Sequence, residues 1–286
     1  MGSDILPIFL GLFSAVTLAI ANVAVKRGGD ILATRVSMAL AAALIVLPAA
    51  FFVAPPDMAT WQALGFSLPA HFFYQGCMIR ALHRGDLSLV FPVMRGAAPL
   101  LTGLIAWLIL GEALSPIAIF GLVLAASAVM FFGMPSGGGS FRRHPDAAAL
   151  FWAGGTALGI ALYSVADGHG VRTAPSAFTY IVWLFLLDPI LITITAIVTR
   201  RGALLEAGRA TLRPGLLAGG FSVLSFGAAL YAISLMEVAR VSALRETAVV
   251  FAALLGWIFL KEGFGLRRTL AAAVLATGLV LLQLSG

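Results

Sequence analysis

Ten runs of about twenty apolar residues follow one another with almost nothing between them: 5–25, 32–53, 58–78, 87–110, 116–134, 147–166, 177–198, 214–235, 238–260 and 266–284. An α-helix needs roughly 20 such residues to cross the hydrocarbon layer. Helices also satisfy their backbone polar groups internally, which lipid demands. The runs therefore predict an all-α polytopic membrane protein with ten transmembrane helices. Composition agrees, since 61% of the 286 residues are hydrophobic and 10% are charged, against about 45–50% and about 25% in soluble domains. The first run lacks a basic leader and a small-residue cleavage site, so it reads as a span and not as a signal peptide. The net charge of +6 points to membrane-flanking loops and not to nucleic acid. Basic residues gather after odd-numbered runs (Lys26, Arg27, Arg142, Arg143, Arg200 and Arg201 among them), whereas the even loops hold only Arg172 and, at a helix edge, Arg240. By the positive-inside rule this places both termini outside. The single cysteine, Cys77, lies in the third run and excludes a disulfide framework.

One linker stands out, MPSGGGSFRRHPD at 134–146, rich in glycine and then basic. It divides the chain into a first five-helix repeat (1–134), a linker (135–146) and a second five-helix repeat (147–286). An odd number of spans per half makes the second half enter from the opposite face, the inverted plan common in transporters. A gapless shift of 150 positions lays Arg95 on Arg245, Ala98 on Ala248, Leu104 on Leu254, Trp107 on Trp257, Leu110 on Leu260 and Glu112 on Glu262. Arginine, tryptophan and glutamate are scarce here, so their coincidence argues for an internal duplication.

The runs GDLSLVFPVMRGAAPLLTGLIAWLILGEALSP (85–116) and VARVSALRETAVVFAALLGWIFLKE (238–262) resemble an EamA-type transporter of the drug/metabolite transporter superfamily. Within that family the chain looks nearest to a subgroup named for its association with phosphonate utilisation, a genomic label and not a substrate. The resemblance covers almost the whole sequence as two EamA repeats. It implies two inverted five-helix repeats forming a carrier for small metabolites in the cell (inner) membrane, often an exporter. It also implies cytoplasmic termini, opposite to the charge count.

Arg95 lies well inside the fourth run, and Arg245 sits equivalently in the ninth. A mid-span arginine costs about 2.5–3.5 kcal/mol on insertion scales, and such residues face a partner or a water-filled path. The alternative to a substrate path is an ion pair with Asp167, Asp188 or Glu246. Pro92 and Pro99 flank Arg95, and each removes a backbone donor, so a kink or helix break is expected there. Polar stripes point the same way: Ser14, Asn22 and Lys26 in the first run; Ser67, His71, Tyr74 and Gln75 in the third; Thr156, Tyr163 and Asp167 in the sixth. A polar stripe on a helix in lipid turns inward.

These residues predict a solvated interior. Arg95, Arg245, Tyr74, His71, Asn22, Tyr163 and Trp183 are the candidate substrate-binding residues, and Asp167, Asp188 and Glu246 are the candidate ion-coupling acids. GxxxG spacing at Gly155–Gly159 and Gly215–Gly219 predicts close helix packing, Glu112 and Glu262 read as helix caps, and His83, His144 and His169 read as loop residues. No phosphate-binding loop, metal cluster or catalytic-serine motif is present. No cofactor is therefore expected, and Ser67 with His71, one turn apart, is a weak dyad. The chain is read as a secondary carrier of a small polar or anionic metabolite working by alternating access. Its expected partners are that substrate, the bilayer and a coupling proton, as a monomer or homodimer. The competing classes are an intramembrane enzyme and a non-transporting receptor or assembly protein.

Overall fold

A computed structural model describes residues 5–27, 30–84, 87–133, 147–200, 204–251, 254 and 266–284. Among the described residues there are ten α-helices: α1 (Ile5–Arg27), α2 (Ile31–Val46), α3 (Met58–Arg84), α4 (Leu87–Leu110), α5 (Pro116–Gly133), α6 (Ala147–Thr173), α7 (Ala177–Arg200), α8 (Leu204–Ile233), α9 (Val238–Arg245) and α10 (Leu266–Leu284). A 3-10 turn, Leu47–Phe51, extends α2. The linker 135–146 and the residues Trp257, Lys261 and Glu262 lie outside the described residues.

Six of these helices, α1, α2 with its 3-10 turn, α4, α6, α7 and α8, are long and apolar enough to cross a membrane. Helices α5 and α10 are apolar but shorter. Helix α3 has the length, but Gln62, His71, Tyr74, Gln75 and Arg80 make it more polar. Helix α9 has 8 residues. The expectation of ten full spans therefore becomes an all-helical, multi-pass membrane protein. Two boundaries also move: α3 and α6 run past the expected ends at 78 and 166, which places His83 and His169 in helices and not in loops.

The starts and stops follow local chemistry. Asp30 caps α2 by accepting from the Ala33 N–H at 3.1 Å, and Ser115 and Ser176 do the same for α5 and α7. Asp57 accepts from both the N–H and the hydroxyl of Thr60 at the start of α3. Those bonds hold its carboxyl below the usual carboxylate range. Helix α4 ends on Gly111, whose φ of +70° is the left-handed conformation that favours glycine.

The chain forms two compact units, each drawing on both halves of the sequence. The first comprises Met1–Leu68 and Asp167–Met236, and the second Pro69–Ala166 and Glu237–Gly286. In the first unit α1 and α2 pack along α8, and α7 packs on α2, where Val36 and Ala39 meet Ile192 and Ala196. In the second unit α10 packs on α5, α5 on α4, and α4 on α9. Its core joins Leu122, Ala125 and Val129 of α5 to Ala243 of α9 and Leu275, Leu279 and Leu282 of α10. Large apolar side chains such as Phe9, Leu44, Phe66, Leu108, Phe120, Phe151 and Leu217 are exposed. A surface of that kind is stable only against lipid.

The glycine pairs act as internal contacts. Gly219 of α8 rests on Ala41 and the Met38 carbonyl of α2 in the first unit, and Gly215 rests on Ser37. In the second unit Gly159 of α6 faces the Tyr74 backbone, where an added Cβ would come within 2.8 Å of the Tyr74 Cα, while a Cβ at Gly154 would meet nothing within 4 Å. Gly159→Ala is therefore expected to destabilise by roughly 1–3 kcal/mol through overpacking against backbone. Gly154→Ala should be neutral or gain up to about 1 kcal/mol of helix propensity. Thermal unfolding of the purified variants in detergent checks both.

Candidate functional site

The ninth apolar run does not form one helix. Helix α9 stops at Arg245, and the chain turns through Glu246 and Thr247 before helical residues resume at Ala248. Across the turn the backbone bonds are i to i−3: Glu246 N–H to the Ala243 carbonyl, Thr247 to Leu244, and Val249 to Glu246. In a continuous helix the Arg245 carbonyl would accept from the Val249 N–H. Here Val249 is taken by Glu246, and Nη2 of Arg95 reaches the Arg245 carbonyl at 3.4 Å. The Thr247 hydroxyl covers the Leu244 carbonyl at 2.7 Å.

A helix break, as distinct from a kink, does not occur at Pro92 or Pro99. Helix α4 is uninterrupted from Leu87 to Leu110; proline is tolerated in membrane helices. The interruption falls instead in the run that has no proline.

Arg95 is partnered as well as inward. Its Nε lies 3.0 Å from Oε2 of Glu246, with side-chain exposures of 19% and 4%. The pair is not aligned for a hydrogen bond, so Arg95 Nε and Glu246 Oε2 have no hydrogen-bond partner among the described residues. The attraction between them is chiefly Coulombic. Arg245 interacts electrostatically with both Arg95 and Glu246, so both guanidinium groups act on the Glu246 carboxylate. Of the three acids named as ion-pair candidates, Glu246 is the one beside Arg95.

Three rings from α3 and α6 accompany the charges. His71 stacks on Tyr163 with centroids 4.1 Å apart, and Tyr74 meets Tyr163 edge-on at 5.5 Å. Both tyrosines lie within electrostatic reach of Arg95 and Arg245. Thus His71, Tyr74, Arg95, Tyr163, Arg245 and Glu246 come together in the second unit, with three contributed by each half of the sequence.

The other named residues belong to the first unit. Asn22 is exposed on α1 and Asp188 is half-buried on α7. Trp183 meets Trp61 edge-on at 5.4 Å, and its buried indole N–H has no partner among the described residues. Asp167 is fully buried. It accepts from the Ser67 hydroxyl and, at 2.8 Å, from the Tyr180 hydroxyl. Tyr180 escaped notice because its neighbours Ile181 and Val182 make α7 look uniformly apolar; the usable signal was its phenol, which needs a partner when buried. Of the weak Ser67–His71 dyad, Ser67 donates to Asp167 and His71 stacks on Tyr163. Ser14 serves packing, since the Ser225 hydroxyl donates to its carbonyl at 2.8 Å.

Several remaining charges act as caps. Glu112 accepts the Val238 N–H at 2.9 Å and closes the start of α9, where a carboxylate suits the helix dipole. Arg172 donates to the carbonyls of Ile233 and Met236 at the end of α8. Arg240, read from sequence as an edge charge, is 3% exposed. It donates to the Gln283 carbonyl and to Glu237.

Tyr180→Phe is expected to cost about 1–3 kcal/mol, because it takes a donor from a fully buried carboxyl group. Ser225→Ala, in a neutral interhelical pair, should cost only about 0.6 kcal/mol. Melting temperatures of the two variants in detergent, read side by side, check the difference.

The comparisons with known proteins agree with this architecture. No curated protein matches the chain. Among 29 similar chains of solved structures, one protein crystal structure aligns over 97% of both chains with a TM-score of 0.69 and 18% identity. That identity speaks for the fold alone. The model of the EamA-like transporter family matches twice, over residues 4–134 and 147–284. The chain belongs to the EamA-like transporter family of the drug/metabolite transporter superfamily.

Proposed function

We propose that this membrane transporter carries a small organic anion, bound at the Arg95–Arg245 cluster of the second unit. One observation carries the reading: two half-buried guanidinium groups, Arg95 and Arg245, both act on the Glu246 carboxylate and lie within electrostatic reach of Tyr74 and Tyr163. A cationic cluster inside a membrane protein is costly unless it serves a partner or a path. A carboxylate or phosphonate group offers the planar or multidentate acceptor that arginine binds well. His71, Tyr74 and Tyr163 would then enclose the rest of the molecule.

Alternating access by two inverted five-helix repeats is supported by the double family match and by the equal contribution of both halves to the cluster. Export across the cell membrane is the direction drawn from the family resemblance. Phosphonates are one substrate class to try first, for the same reason. Asp167, Asp188, Asn22 and Trp183, all in the first unit, are left outside this binding cluster.

The test is a stabilisation screen of the purified protein with carboxylates, phosphonates and amino acids, followed by uptake into proteoliposomes. A ligand at 100 times its Kd should stabilise the protein by about 2.7 kcal/mol. Arg95→Ala and Arg245→Ala should each lose both stabilisation and uptake while still inserting and purifying normally. Undiminished ligand response in both variants would remove the arginines from the site.

A further inference from the structure

We propose that Glu246 makes anion binding proton-linked: an anion seated on Arg95 displaces the Glu246 carboxylate, which then takes up one proton. Anion and proton thus occupy the site together. The inference rests on the anion-carrier reading above and adds its stoichiometry.

The geometry supplies the competition. One nitrogen of Arg95 is held by the Arg245 carbonyl, and the Nε edge faces Glu246 at 3.0 Å. An anion arriving at that edge takes the place the carboxylate holds. The two groups compete for one edge, because Nε lies 3.0 Å from Oε2 and that edge is the one Glu246 occupies. Displacement is hard to leave uncompensated, because the Glu246 side chain is 4% exposed. A buried carboxylate stripped of its counter-ion is strongly unfavourable, and such groups neutralise by taking a proton.

The surroundings leave few rival proton acceptors. Arg95 from α4 and Arg245 from the same segment are the charged groups acting on Glu246. Tyr74 of α3 and Tyr163 of α6 act on the guanidinium groups, and His71 stacks on Tyr163. Helix α5 contains no titratable residue, and no described side chain of α10 is titratable.

The step balances without any further reactant. One O–H bond forms on Glu246 with a proton from water, and no bond in the anion breaks. The cluster holds two guanidinium charges against one negative charge both before and after. A bound monoanion with its proton adds no net charge, so transport is electroneutral. Export then requires an inside excess of anion larger than an opposing pH gradient, about tenfold per pH unit.

Benzenesulfonate is a suitable probe, being a monoanion at every relevant pH. Calorimetry with the purified full-length protein between pH 6 and 8 should show Kd weakening about tenfold per pH unit as pH rises. Weakly buffered solution should lose one proton per anion bound. Glu246→Gln should bind with a flat pH profile and no proton uptake. Arg95-dependent binding that is flat in the wild type, or proton uptake that persists in Glu246→Gln, overturns the coupling and leaves the anion site standing. Absence of binding, or binding that survives Arg95→Ala, overturns both. Should Glu246→Gln not fold, the slope is measured in His71→Gln, and a slope lost there moves the proton to His71 and overturns the coupling.

Discussion

A guanidinium group inside a lipid-embedded bundle needs a counter-charge, an acceptor or water, and the second unit is built around meeting that need for Arg95. Glu246 brings the counter-charge and the Arg245 carbonyl brings the acceptor. Both are available only because α9 stops at Arg245: a continuous helix would close the Arg245 carbonyl on Val249. The backbone break and the ion pair are thus one structural event. The same short helix is buried along Val238–Leu244, so its ends require partners from within the unit. Glu112 meets the first and Arg95 the last.

The charges divide by what they touch. Arg172, Arg240 and Glu112 are directed at orphan backbone groups at helix ends, where a side chain replaces the missing turn of hydrogen bonds. Arg200 and Asp30 form an ion pair at 2.7 Å with substantial exposure, and pairs of that kind contribute little to stability. Arg95, Arg245 and Glu246 differ from both sets. They act on one another and lie within electrostatic reach of two tyrosines. A helix cap is satisfied by its own geometry; a cationic cluster with a misaligned ion pair keeps the capacity to receive another acceptor.

Asp167 shows a different solution to the same problem. It is buried and accepts from two hydroxyl donors, Ser67 and Tyr180. Hydroxyls stabilise a carboxyl group without adding charge, which suits a structural node. Glu246, by contrast, is acted on by two cations, Arg95 and Arg245.

Much of the architecture was legible in the amino-acid sequence. Apolar runs of membrane length, few charges and coincident arginines 150 residues apart dictate a helical membrane protein with a repeated plan, because lipid forbids unsatisfied backbone and makes each buried charge conspicuous. The residues of the cluster were legible for the same reason. Only tertiary structure decided which acid meets Arg95, since Glu246, Asp167 and Asp188 are equally improbable in lipid when read one at a time. It also decided where a helix breaks. Proline weakens a helix locally, but whether the helix breaks depends on the partners that neighbouring segments offer. Helix α4 continues through two prolines, whereas the chain turns at Glu246 without one, its freed Arg245 carbonyl met by Arg95.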